Sequence, residues 1–166
     1  MDEIVNKVAQ SGLVSLDLET FYPKGERVLF DLTDWLYEGL ILREKDFRER
    51  AKTHNWQAYT DAHVAITCTA DAIVPLWAFM LVSSALQPFA ATIVHGDLEK
   101  LESVLYRQFM DAHDFSQYQD KRLIIKGCSK KLVPTDAFVA FVKRAQPFAK
   151  SIMFGEPCST VPVFKR

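Results

Sequence analysis

The sequence predicts an α/β protein: a mixed, mainly parallel sheet built from two tandem duplicated βαβ units, with an N-terminal antiparallel extension, in a single domain of residues 1–166. Three observations predict it. A chain of 166 residues, 49% hydrophobic and 25% charged, is long and apolar enough for one buried core, which excludes intrinsic disorder and a small disulfide scaffold. Segments 54–97 and 113–156 align without a gap at an offset of 59 and share 14 identities over 44 positions, where unrelated segments would share only about two or three. Each segment contains an apolar run, a loop ending in proline, a helical pattern and a second apolar run, the layout of a right-handed βαβ crossover.

The elements follow in chain order. A short helix is expected from Asp2, then strands over 13–18, 27–32 and 36–42, the last two close enough for a hairpin; residues 1–42 thus form the antiparallel extension. A helix over 43–53 precedes the first repeat. Within that repeat, strands 64–67 and 92–95 flank a helix over 75–86, where Pro75 suits a first helical position because its missing N–H would be unpaired there anyway. The run Leu76-Trp77-Ala78-Phe79-Met80-Leu81-Val82 is apolar all round, so this helix is either sandwiched inside the domain or covered by a second copy of the chain. The joining helix, 97–112, has Asp97 as its N-cap and Leu98, Leu101, Leu105 and Phe109 on one face. In the second repeat, strands 123–126 and 151–154 flank a helix introduced by Pro134, with Phe138, Phe141, Val142 and Ala145 as its apolar stripe.

Charge and targeting narrow the function classes. Twenty basic and 21 acidic residues give a net charge of -1, which predicts neither nucleic acid nor a membrane surface as partner. The balance hides an asymmetry, because residues 1–120 carry 10 basic and 19 acidic side chains and residues 121–166 carry 10 and 2. The longest apolar stretch, 72–82, is interrupted by Pro75 and is shorter than the ~18 residues a spanning helix requires. The acidic opening Met1-Asp2-Glu3 does not read as a signal peptide, so a cytoplasmic location is expected. No G-x-G-x-x-G, P-loop, nucleophile elbow or zincin motif is present.

Ligands of parallel sheets collect at the carboxyl ends of the strands, and all three cysteines fall at such ends. Cys68, Cys128 and Cys158, with His95, Asp71 or Glu156 as a fourth donor, are a candidate soft-ligand set for zinc or an iron–sulfur cluster, since thiolates are soft donors that loops can gather from distant positions. No C-x-x-C spacing pre-arranges them, and inert packing of free cysteines is the competing expectation. Ser129, Lys130 and Lys131, after a strand and before a helix, are candidate anion-binding residues. His54 and His113 close helices, where an imidazolium is favoured by the dipole.

Three segments carry a resemblance: Ile66-Thr67-Cys68-Thr69-Ala70-Asp71, Lys126-Gly127-Cys128-Ser129, and Phe154-Gly155-Glu156-Pro157-Cys158-Ser159. They resemble an uncharacterised bacterial family of unknown function. That resemblance implies a link to the sulfur-mobilisation system of iron–sulfur assembly, and iron–sulfur assembly proteins as partners. The leading expectation is therefore a cytosolic accessory or binding protein that holds a metal or iron–sulfur species. Two alternatives stand beside it: a thiol enzyme with Cys128 as nucleophile, and a non-catalytic homodimer packed through the apolar helix.

Overall fold

The computed structural model describes residues 12–127 and 130–166. Its seven strands are β1 (Leu13–Leu16), β2 (Arg27–Asp31), β3 (His63–Thr67), β4 (Thr92–His95), β5 (Arg122–Ile125), β6 (Ser151–Glu156) and β7 (Ser159–Lys165). Four α-helices lie among the described residues: α1 (Glu44–Thr53), α2 (Leu76–Leu86), α3 (Leu98–Ala112) and α4 (Thr135–Ala145). The fold is mixed α/β with mainly parallel strands, as expected, and no described helix is long and apolar enough to cross a membrane. The helix expected from Asp2 lies outside the described residues.

Two features depart from expectation. The strands form two sheets, of order β2-β3-β4 and β1-β5-β6-β7. The N-terminal extension is not antiparallel either: β1 pairs parallel with β5 and β2 pairs parallel with β3. No hairpin joins β2 to residues 36–42, because the chain leaves β2 through a 3-10 turn, Leu32–Trp35, capped by the Asp31 side chain. Beyond it, residues 36–42 turn back through left-handed Glu38 and Gly39, leaving only an isolated Tyr37↔Ile41 bridge. Phe30 and Leu32 of this segment are 5% and 0% exposed and pack with Val64 and Ile66 of β3. The antiparallel strand is at the other end of the chain, where β7 returns along β6 through Pro157-Cys158. A register shift opposite Ile152/Met153 and Pro162 on this outer strand mark a protected sheet edge.

The chain divides into two compact units, Lys24–Leu105 and a second made of residues up to Pro23 with Tyr106–Arg166. The divide falls inside α3. In the Lys24–Leu105 unit, β3 is buried on both faces. Val64 and Ile66 pack with Phe47 of α1 and Ala78, Val82 and Leu86 of α2, while Ala65 packs with Leu101 and Leu105 of α3. In the other unit, Leu123, Ile125 and Ile152 pack with Ala137, Phe141 and Ala145 of α4 and with Tyr106 and Met110 of α3.

Equivalent elements recur at the 59-residue offset. The 3-10 turns Trp56–Tyr59 and Phe115–Tyr118 precede β3 and β5, and α2 and α4 span Leu76–Leu86 and Thr135–Ala145. Asp61 and Asp120 both adopt a left-handed backbone, φ 61 and 56, and donate their amides to Phe89 O and Phe148 O at 3.0 Å. Leu16 of β1 pairs with Ile125 and Phe30 of β2 with Ile66, and each of these strands leads through Asp-Leu into a 3-10 turn.

Candidate functional site

A connected polar cluster sits at the carboxyl ends of β2 and β3. Asp31, the last residue of β2, accepts bonds through Oδ1 from the Thr33 amide at 2.9 Å, the Thr33 hydroxyl at 2.7 Å and the Thr69 amide at 3.1 Å. Its Oδ2 accepts the Thr69 hydroxyl, and Thr33 Oγ1 in turn accepts the Ala70 amide at 3.0 Å. Burial raises the Asp31 carboxyl, but the bonds from Thr69 and Thr33 outweigh it and hold the group at about 2. Such a carboxylate is an anchor for the loop after β3, not a proton acceptor near neutral pH.

That anchor sets a pH dependence. The native carboxyl titrates at about 2 against an ordinary 3.8, so the unfolded chain binds the proton first and the stabilisation is present above the ordinary value and lost as pH falls through about 2. Asp31→Asn should lower unfolding free energy at pH 7 by about 1 kcal/mol, a magnitude discounted for partial solvent exposure. The gap between Asp31→Asn and wild type should close below pH 3 in urea titrations followed by circular dichroism. A gap that stays constant down to pH 2 would contradict the assignment.

Cys68 is half-buried against this cluster, its Sγ 3.8 Å from Thr33 Oγ1 and 3.9 Å from the Ala70 carbonyl oxygen that it faces as donor, and it packs on the core of the Lys24–Leu105 unit. Asp71 is exposed in the following loop. His95 ends β4 with its ring edge-on to Phe79, centroids 4.9 Å apart. Cys158 is exposed at the tip of the β6–β7 hairpin, next to Glu156, whose partner in the ladder is Ser159. Cys128 and Ser129 lie outside the described residues. Among the described residues, no group of three or more His, Cys, Asp or Glu side chains is arranged to hold a metal ion.

The basic loop is engaged with its own unit. The Lys130 amide donates to Glu19 Oε2 at 2.8 Å, and Lys131 Nζ stands 4.7 Å from the centre of the Tyr22 ring. Glu19 follows Asp17-Leu18 as Thr33 follows Asp31-Leu32. In both units the residue after Asp-Leu therefore accepts an amide from the loop beyond the adjoining strand. The repeated Asp-Leu after an apolar run was the signal in the sequence for this anchor.

The histidines at the helix ends serve packing. His54 Nε2 lies 2.9 Å from Tyr59 Oη and His113 Nε2 lies 2.8 Å from Tyr118 Oη. The His54 ring is surrounded by Phe30, Trp35 and Trp56. Burial, with the Arg50 guanidinium second, pushes its imidazole below the ordinary value. The imidazolium expected from the helix dipole is thus outweighed at His54 by its aromatic surroundings. The fourth histidine, His63, is buried with Nδ1 3.0 Å from Thr92 Oγ1 and Nε2 2.7 Å from Lys24 O. An added Cβ on Gly25 would stand 2.7 Å from that Nε2, so glycine is required there by close approach as well as by its φ of 119.

A second feature is apolar and open. Helix α2 buries Ala78, Val82 and Leu86 but leaves Leu76 79% and Met80 70% exposed, and Ile73 just before it 94% exposed. It is therefore not sandwiched inside its unit. Between α2 and β4 runs a groove of about 500 Å³ lined by Ile66, Phe79, Met80, Ser83, Ile93 and His95.

Parallel strands, crossover helices and a polar anchor at the strand carboxyl ends make this a parallel-stranded α/β protein with an open helix–strand groove. The chain belongs to the family described as "Protein of unknown function (DUF2480)", whose model matches residues 2–166. No curated protein and no solved structure matches it.

Proposed function

We propose that the protein is a non-catalytic homodimeric interaction protein whose contact face is α2, and that its two units arose by internal duplication. The observation that carries the reading is the surface of α2: no charged residue occurs from Leu76 to Leu86, and Leu76 and Met80 stand open to solvent. Isolated exposed apolar residues are ordinary, but an uncharged helix face beside an apolar groove is the surface a protein partner covers. Support comes also from the polar groups, since Asp31, His63 and Glu102 are each engaged in bonds within the Lys24–Leu105 unit. The family description names no partner; iron–sulfur assembly proteins remain the partner class to be tried, on the resemblance of the cysteine segments alone.

Light scattering after gel filtration is expected to give about twice the chain mass of 19.0 kDa, and Met80→Glu should shift the protein to monomer without loss of helical circular dichroism. A wild-type monomer that persists at high concentration overturns the proposal.

A further inference from the structure

We infer that the dimer forms by antiparallel addition of β4 to β4 of a second copy, joining two three-stranded sheets into one of six strands; this rests on the homodimer reading above. Strand β4 is one of the two outer strands of the sheet β2-β3-β4. The Gly96 amide donates to Ile66 O at 3.0 Å, so strand alternation turns the Val94 amide toward β3 and leaves those of Ile93 and His95 on the open side. Thr92-Ile93-Val94-His95 is short, but it carries neither lysine nor proline nor bulge to protect its edge. In the other sheet, the outer strand β7 that follows β6 has Pro162, Lys165 and a register shift.

The nature of the occupant is written in the other unit. Strand β6 stands 59 residues after β4, and its outer side is paired antiparallel with β7. The groove between β6 and α4 is lined by Ile125, Phe138, Val139, Val142 and Phe154, each 59 residues beyond Ile66, Phe79, Met80, Ser83 and His95, and by Val163 of β7. The groove beside β4 is the larger, about 500 Å³ against about 370 Å³, and no strand of its own unit covers it. An antiparallel strand is therefore the shape this edge receives. A second copy supplies one: a two-fold axis perpendicular to the sheet runs β4 antiparallel to itself and keeps both α2 helices on the same face. Because α2 lacks charge, the two helices meet without like-charge repulsion, and Met80 is covered across the seam.

Two measurements on the full chain test this. Hydrogen exchange of the wild-type dimer is expected to show the Ile93 and His95 amides protected at least tenfold more than in the Met80→Glu monomer. His95→Pro removes one outward N–H at an exposed position and should weaken dimerisation at least tenfold while the monomer keeps its circular dichroism. A wild-type dimer whose Ile93 and His95 amides exchange as fast as in the monomer overturns the strand pairing while leaving the helix contact standing. Undiminished dimerisation of a folded His95→Pro does the same. A chain monomeric at every concentration overturns both proposals, and should His95→Pro fail to fold, the wild-type exchange measurement still decides.

Discussion

Replacing Glu102 by alanine is expected to destabilise the protein by about 3–5 kcal/mol, as removal of one partner from a buried ion pair does. Glu102, on α3, is 2% exposed, and its carboxylate receives Arg27 Nε at 2.6 Å and Nη2 at 3.2 Å. Arg27 opens β2, is itself only 11% exposed, and donates Nη1 to Gly25 O at 2.7 Å. Truncating the acid leaves a guanidinium in a site too dry to solvate it. The paired change Arg27→Met with Glu102→Leu removes both charges together and should recover most of the loss, because the desolvation cost of the ion pair disappears with it. Urea denaturation monitored by circular dichroism reads both. A single Glu102→Ala variant within 1 kcal/mol of wild type would show that the pair is solvated in solution.

The second large effect belongs to the other unit. Phe141→Ala should cost about 3–5 kcal/mol, the sum of lost apolar burial and the cavity left behind. Phe141 is fully buried on α4, with ring centroids 5.3 Å from Phe115 and 6.0 Å from Tyr118. Val139→Ala, two positions earlier on the same helix and 64% exposed, should stay within about 0.5 kcal/mol. The contrast isolates burial from helix propensity, since both variants gain alanine. Equal losses at the two positions would mean that α4 packs through a different face.

These two sites differ in how far the sequence announced them. The stripe of α4 was readable because an amphipathic helix repeats its buried side with a 3.6-residue period, and the proline before it marked the start. Phe141 and Ala145 are on the buried side, and Ala137 and Ala140 join them. Glu102 and Arg27 stand 75 positions apart, and nothing in either neighbourhood marks one for the other. The anchor at Asp31 lies between these cases. Asp-Leu after an apolar run recurs at 17–18 and 31–32, yet that Thr69 comes back to meet Asp31 depends on β2 and β3 lying side by side.

The candidate metal set shows the same boundary. Strand ends place Cys68 after β3 and Cys158 after β6, as the periodic pattern indicated. Cys68 packs on the core of one compact unit, and Cys158 stands at a hairpin tip of the other. The strand pattern places each cysteine in the chain, and only tertiary structure decides which strand ends lie together.

The four α-helices, strands β3 to β6, the Asp97 cap with its bond to the Lys100 amide at 2.8 Å, and the 59-residue recurrence were legible in the chain, because each depends on contacts within a turn or on alternation within a strand; β7 was not among them. Which strands become neighbours was not. A hairpin declares itself by a short turn, whereas the parallel pairs Leu13↔Arg122 and Arg27↔His63 are joined through long crossovers without a pairing signal of their own. The strands expected over 13–18, 27–32 and 36–42 therefore form no antiparallel extension: the first two pair parallel in separate sheets, and the third segment keeps only an isolated bridge. The packing of Leu16 and Leu18 against α4 and its neighbours, and of Phe30 and Leu32 against α1 and α2, sends them to separate sheets, because each buries its apolar side only beside the strand it meets there.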